Sequence, residues 1–305
     1  MLGEFQLIQR LKSLIPRRLQ GPRGIGDDCA VLPSGGGKSL LFTTDALVEG
    51  VDFRMGKGGV SPEAIGYKAL AVNLSDIAAM GGRPTAFVVA WGIPKKFSPA
   101  QVEKIARGIL RLARFFRVAW VGGDISKASR FFISIALLGE ASAEKVVERR
   151  GARPGDLIYV TGRLGGSIQG KHLSFTPRLA EARFLVSRFR PTAMIDVSDG
   201  FIQDLGHILD ASRAAARVDL DRIPISQAVR RRALQSALTD GEDFELLFTI
   251  SRRVGTQLEK AWKRKFPRLP LTRVGEIRRG KGAIEWRQQG KKVRLWFRKK
   301  GFTHF

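Results

Sequence analysis

Apolar positions along this chain fall into two periods that take turns, one of two residues and one of three to four. Runs with period two or unbroken apolar character at 29–32 (CAVL), 39–45 (SLLFTTD), 86–93 (AFVVAWGI) and 131–140 (FFISIALLGE) read as strands. Between them, apolar residues at helical spacing predict a short amphipathic helix over 4–15, a helix over 61–80 and another over 99–117. Ser61 caps the second of these, Pro62 suits its first turn, and Gly81-Gly82 followed by Pro84 stops it. Ser98 caps the third, which turns Val102, Ile105, Ile109, Leu112 and Phe116 to one face. A strand at 117–124 ends in Gly122-Gly123-Asp124.

The polar, charge-rich stretch 141–155 divides this unit from a second one. There a strand from Asp156 enters a glycine-rich turn, predicted to open a helix whose backbone N–H groups could hold phosphate. A strand and helix follow over 193–209, a strand at 217–224, a helix at 226–238, a strand at 241–250, a basic helix over 252–265, and strands at 273–279, 283–289 and 293–297. The fold class is therefore α/β with α+β character, in two domains, 1–140 and 141–305; 305 residues exceed what one core usually organises.

Composition narrows the function. The apolar runs are far too short to cross a membrane, and Glu4 stands where a secretory signal would want positive charge, so a cytoplasmic protein is expected. One cysteine, Cys29, forms no internal disulfide, and three scattered histidines give no Cys/His zinc spacing, so a metal would be held by oxygen. The formal charge of +25 attracts anions. The basic residues are spread along the whole chain without an aromatic-interleaved stripe, which favours anionic small molecules over specific nucleic-acid binding.

Against that surplus, aspartates sit at strand ends or on apolar faces. Asp76 occupies an otherwise apolar helix, on one face with Asn73; Asp27 and Asp28 enter the first strand; Asp45 shares a strand face with Thr43, with Thr44 opposite; Asp124, Asp196 and Asp199 stand beside glycines or strand ends. Converging carboxylates repel one another unless divalent cations neutralise them, and all-oxygen ligation suits Mg²⁺. A multi-Mg²⁺ nucleotide site is thus expected; glycoside hydrolysis would need only two carboxylates. SGGGKS at 34–39 suggests a P-loop, but its first glycine position is Leu32 and a strand follows it, so a hairpin turn is the better reading.

GIGDD (24–28), TTDALVEGVDF (43–53), YKALAVNLSDIAAMG (67–81), GGD (122–124), GARPGDLIYVTGRLG (151–165), IDVSDGFIQDLGHI (195–208), GEDFELLFT (241–249) and GFTHF (301–305) together resemble the thiamine-monophosphate kinase family, within the aminoimidazole-ribonucleotide-synthetase-like ATP-binding superfamily. The resemblance runs end to end and in order. It implies ATP-dependent phosphorylation of thiamine monophosphate to thiamine diphosphate, an N-terminal mixed-sheet domain that forms a homodimer through a shared β-barrel, and a C-terminal α/β domain closing over the nucleotide. Asp28, Thr43, Thr44, Asp45, Asp76, Asp124, Asp196 and Asp199 match family Mg²⁺ positions, with Asp27 beside them. Gly123, Asp124, Ser198 and one of the pair Arg149/Arg150 match nucleotide contacts, and Glu242 and Phe302 match substrate contacts. Asp52 stands where the family usually has His, and Ile125 where Thr is common; Asp52 is expected to meet the thiamine moiety. Because the acceptor is an already anionic phosphate oxygen, direct in-line transfer is expected with no catalytic side chain. Aminoimidazole ribonucleotide synthetase-like ligases and a non-catalytic polyanion-binding protein are the alternatives.

Overall fold

The computed structural model describes residues 3–19, 21, 23–56, 58–229, 231–295 and 301. Helix α1 (Glu4–Leu14) precedes β1 (Ala30–Pro33) and β2 (Lys38–Val48), an antiparallel pair in which Lys38 N–H donates to the Gly35 carbonyl at 3.0 Å. The glycine-rich run is therefore a hairpin turn, as the strand after it demands. Helix α2 (Pro62–Ala79) begins where Ser61 Oγ accepts the Ala64 N–H at 3.2 Å and ends before Gly81, whose φ of +71° suits glycine. Strand β3 (Arg83–Ile93), helix α3 (Pro99–Phe116), strand β4 (Ala119–Lys127) and strand β5 (Phe132–Ser142) complete the first half. Ser98 and Gln101 form a reciprocal cap at the start of α3.

The five strands make one sheet in the order β1-β2-β5-β3-β4, antiparallel except for β3–β4, which α3 connects as a crossover. α2 covers one face of it and is buried almost all round, which fits its apolar surface on every side. Gly66 of α2 and Gly108 of α3 allow the two helices to touch backbone to backbone: a Cβ at Gly66 would lie 1.9 Å from the Ile105 carbonyl, and one at Gly108 1.9 Å from the Glu63 carbonyl. The other face of the sheet is open, with Phe42 and Val88 exposed.

The second half comprises β6 (Leu157–Thr161), α4 (Leu179–Arg188), β7 (Ala193–Asp196), α5 (Phe201–Ser212), β8 (Ala215–Asp219), α6 (Ala233–Thr239), β9 (Leu246–Ile250), α7 (Gly255–Lys265), β10 (Leu271–Arg278), β11 (Ile284–Gln288) and β12 (Lys291–Val293). The strands form a mixed sheet in the order β12-β11-β8-β10-β6-β9-β7. Its period-two alternation feeds two cores: Ile158, Val160 and Val218 join Leu205 and Ile208 of α5, while Leu157, Tyr159 and Phe248 join Leu258 and Trp262 of α7. The α7-side core is continuous with that around α2, so α2 lies between the two halves.

Three expectations change. After the glycine-rich turn come two single 3-10 turns (Ser167–Gln169 and Lys171–Leu173) rather than an α-helix. The helix expected over 226–238 is reduced to α6, which begins after Arg232 has adopted a left-handed φ of +49°. The last strand ends at Val293, and residues 296 and 297 of the expected 293–297 segment lie outside the described residues.

Candidate active site

The local cause of the site is the meeting of three elements. The segment entering β1 carries Asp27 and Asp28, the middle of α2 carries Asp76, and the C-terminal end of β7 carries Asp196. Carboxylate oxygens of Asp28, Asp76 and Asp196 all lie within 4.8 Å of one another. Such an arrangement of like charges is stable only with protons or cations. Thr43, on the α2-facing side of β2, donates its hydroxyl hydrogen to Asp76, and Ser75 Oγ donates to Asp196 at 2.6 Å.

Burial pushes Asp76 well above the usual carboxylate range, with Asp45, Asp196 and Asp28 adding repulsion. Burial, then Asp28, raises Asp196 to about 8; burial, then the neighbouring Asp28, raises Asp27 to about 7. Asp28 is also raised by burial, although Arg149 opposes the shift. Cys29 is pushed up by burial and by the same aspartates, which makes it an inert thiol rather than a nucleophile.

Arg149 is the cation at the rim of this cluster. Its Nη2 donates to Asp28 Oδ1 at 2.7 Å, and its backbone N–H donates to both Asp27 oxygens at 3.2 Å. Arg149 Nε and Asp28 Oδ2 are buried without a hydrogen-bond partner among the described residues. One spare acceptor on Asp28 and one spare donor on Arg149 are what a metal ion and an anionic oxygen, respectively, would satisfy. Arg150 by contrast pairs with Glu148 and is largely exposed, so the structure separates the two arginines that the sequence left equivalent.

The other expected residues are placed less uniformly. Asp45 lies close enough to Asp76 to raise it. Asp199 accepts from Gln203 Nε2 at 2.9 Å and joins Asp204 and His207 in a second group whose ligand atoms lie within 4.8 Å. Asp204 was not singled out from the sequence; it is raised well above its usual range by burial and then Asp199, while accepting from the Asp199 and Gly200 N–H groups at 3.2 and 3.0 Å. Its place in the first turn of α5, after the Ser-Asp-Gly turn, was the available signal. His207 is driven down to about 4 by burial and then Arg149.

The Thr44 side chain lies on the opposite face of β2, exposed, with Oγ1 3.4 Å from Ser134 Oγ, away from the carboxylates. Asp124 is likewise exposed and accepts from Ser126 at 3.1 Å; its register with Ala90 and Ser134 puts it on that same open face. In this chain, therefore, neither side chain joins the cluster. Gly123 packs on β3 so closely that a Cβ would lie 2.1 Å from the Val89 carbonyl. Ser198 accepts the Glu242 N–H at 2.7 Å, and Glu242 pairs with the buried Lys68 of α2, a partner that sequence spacing could not reveal. Asp52 is half-buried and accepts the Val48 N–H at 2.7 Å, closing the turn after β2. Phe302 lies outside the described residues. The glycine-rich turn is already engaged: Asp243 accepts from Gly165 N–H at 2.7 Å and Ser167 Oγ at 2.9 Å, and Asp240 accepts from Gly166 N–H at 3.3 Å.

Known proteins resemble this chain in sequence and in fold. Residues 26–141 match the family described as AIR synthase related protein, N-terminal domain. A thiamine-monophosphate kinase of Rhodopirellula baltica is 40% identical, covering 83% of each chain, and one of Salmonella typhimurium is 35% identical, covering 99% of this chain and 98% of its own. The solved structure described as "AaThiL complexed with AMPPCP and TMP" superposes with a TM-score of 0.83 and 32% identity, covering 100% of this chain and 97% of the other. The resemblance seen in the motifs thus extends over the whole chain, which belongs to the thiamine-monophosphate kinase family.

Proposed function

We propose that this protein transfers the γ-phosphoryl group of ATP to thiamine monophosphate, giving thiamine diphosphate and ADP. The observation that carries the reading is the convergence of the Asp28, Asp76 and Asp196 carboxylates. The substrates follow from full-length likeness to thiamine-monophosphate kinases and to a structure holding AMPPCP, an ATP analogue, and TMP.

Asp28, Asp76 and Asp196, with Asp27, Asp45, Asp199 and the Thr43 hydroxyl around them, would hold several Mg²⁺ ions; the all-oxygen donor set and the spare Asp28 oxygen fit that cation. Bound there, Mg²⁺ supplies charge neutralisation of phosphate oxygens and fixes their geometry. The chain itself does the positioning. Ser75 and Thr43 hold Asp196 and Asp76 in place, and Arg149, anchored through Asp28, offers its free Nε to a phosphate oxygen. An acceptor phosphate is already anionic, so no side chain has to remove a proton, and none is assigned as catalytic.

Gly123, Asp124, Arg149 and Ser198 contact nucleotide in this reading, and Asp52, Glu242 and Phe302 contact thiamine monophosphate. The two halves act as domains, 1–140 and 141–305. Two copies pair through the open face of the first sheet, where Phe42 and Val88 are exposed, to close a shared barrel; Thr44 and Asp124 lie on that face and reach a site only across the pairing. No described helix is long and apolar enough to cross a membrane, and a cytoplasmic location fits this reading. The test is stoichiometric ADP and thiamine diphosphate formation from ATP and thiamine monophosphate, with thiamine and a ribonucleotide as control acceptors. Turnover of the ribonucleotide alone would instead favour a synthetase-like ligase.

A further inference from the structure

At the other edge of the second sheet from β7, and on the face opposite α5, the alternation of β8, β10 and β11 exposes arginines instead of a helix-packed core. Arg217 and Asp219 of β8, Arg273 of β10 and Arg287 of β11 point to the same side, because Val218, Val274 and Trp286 beside them belong to the α5-side core. Arg222 and Arg252 close the ends. Together they line a cleft of about 300 Å³, at the lower end of the size of small-molecule sites. The acids lining it, Asp219 and Glu276, leave a surplus of three positive charges.

Arg217, Arg222, Arg252 and Arg287 are held in place by partners that use only part of their hydrogen-bonding capacity. Glu276, only 9% exposed, pairs with Arg217 at 2.7 Å and with Arg252 and Arg278. Arg222 Nε lies 3.3 Å from Asp219, and Arg287 donates to Glu285 at 2.8 Å and to the Gly290 carbonyl at 3.1 Å. Arg273 is paired through its backbone with Tyr159 of β6, while its side chain has no ion pair or hydrogen bond among the described residues. Each guanidinium carries five N–H donors, so the cleft presents fixed forks with donors to spare. Such a site loses little side-chain entropy when an anion enters, and phosphoryl oxygens match the fork geometry.

We propose that this cleft is a second anion site, separate from the carboxylate cluster, and that it takes a compact oligophosphate bearing about three to four negative charges. Its small volume and the absence of aromatic side chains from its lining favour such a ligand over single-stranded nucleic acid, which uses stacking platforms along an extended groove.

The probe is inorganic tripolyphosphate, titrated calorimetrically into the metal-free full-length protein, in which the carboxylate cluster repels it. One saturable site per chain is expected. Arg273→Ala with Arg287→Ala should weaken it by about tenfold or more, as for loss of charge-assisted hydrogen bonds. Lys104→Ala with Arg107→Ala, which removes two exposed charges on α3, should change it by less than about twofold. Should the double alanine variant fail to fold, Arg273→Lys with Arg287→Lys keeps the charge and loses the forks, and weaker binding is again expected. The proposal is overturned if binding does not saturate, if both charge removals weaken it equally, or if the cleft variant leaves it unchanged. It is also overturned if a single-stranded oligonucleotide binds more tightly than tripolyphosphate through the same two arginines.

Discussion

The carboxylate cluster beside α2 and the arginine cleft on β8, β10 and β11 are both gatherings of like charge, built in opposite ways. In the cleft every acid is clasped by arginines and most of the cationic side chains stay open to water, so the group is stable on its own and merely attracts anions. In the cluster three buried carboxylates face one another, with Arg149 as the one paired guanidinium among the described residues. Burial and repulsion raise their proton affinity together. The contrast shows which charge group expects a partner from solution: the one whose own neighbours leave it uncompensated.

The largest effect should come from removing one of the facing charges. Asp76→Asn should lower kcat by about a thousandfold at saturating Mg²⁺, comparable to losing a principal electrostatic contact. The same substitution relieves repulsion, so the metal-free thermal midpoint should stay level or rise. Near-normal turnover would remove Asp76 from the reaction.

Next comes the cation that opposes the cluster. Arg149→Ala leaves Asp28 buried without its partner and should destabilise the metal-free protein by about 3 kcal/mol, the scale of breaking a buried pair. Added Mg²⁺ should recover much of that loss in denaturant unfolding, whereas Arg150→Ala, on the solvent side, should shift stability by less than about 0.5 kcal/mol.

Acidity gives a third way to sharpen the comparison. Asp27 and Asp196 have folded pKa values of about 7 and 8, raised from an ordinary 3.8, so the folded state binds more protons than the unfolded state between those limits. Their contribution is fully present below about pH 4 and is lost as pH rises to about 8. In chelator, the thermal midpoint should therefore fall between pH 6 and pH 8.5 by several degrees, and saturating Mg²⁺ should flatten that slope. An unchanged slope with Mg²⁺ would show that the ions bind elsewhere.

Asp52 should give the smallest effect. Because it accepts the Val48 N–H, Asp52→Ala should cost about 1 kcal/mol through the turn. Asp52→Asn keeps an acceptor and should restore stability, yet it should still raise KM for thiamine monophosphate about tenfold with KM for ATP within about twofold. A KM effect confined to ATP would move Asp52 to the nucleotide side.

Local chemistry made much of this molecule legible in the sequence. Ser61, Pro62 and Gly81 delimit α2, the strand after SGGGKS excludes a P-loop, and period two places Thr43 beside Asp45 and turns Thr44 away. What failed depends on partners distant along the chain. The glycine-rich turn at 162–167 offers N–H groups that Asp240 and Asp243, more than 70 residues later, already use. The sequence also does not tell the face of Asp124: β4 is an edge strand and register puts this residue on the open face, away from the other aspartates of the same chain. Lys68 of α2 is buried against Glu242, a pairing across more than 170 residues that no local pattern announces.

The most direct test of the carboxylate cluster as a cation site is calorimetric titration of Mg²⁺ into the metal-free protein at pH 7 in buffers of different ionisation enthalpy. Binding should release protons, because carboxylates raised to about 7 and 8 must ionise to ligate. Asp76→Asn should weaken the affinity at least about tenfold. Mg²⁺ binding without proton release, and with the same affinity in Asp76→Asn, would contradict the account.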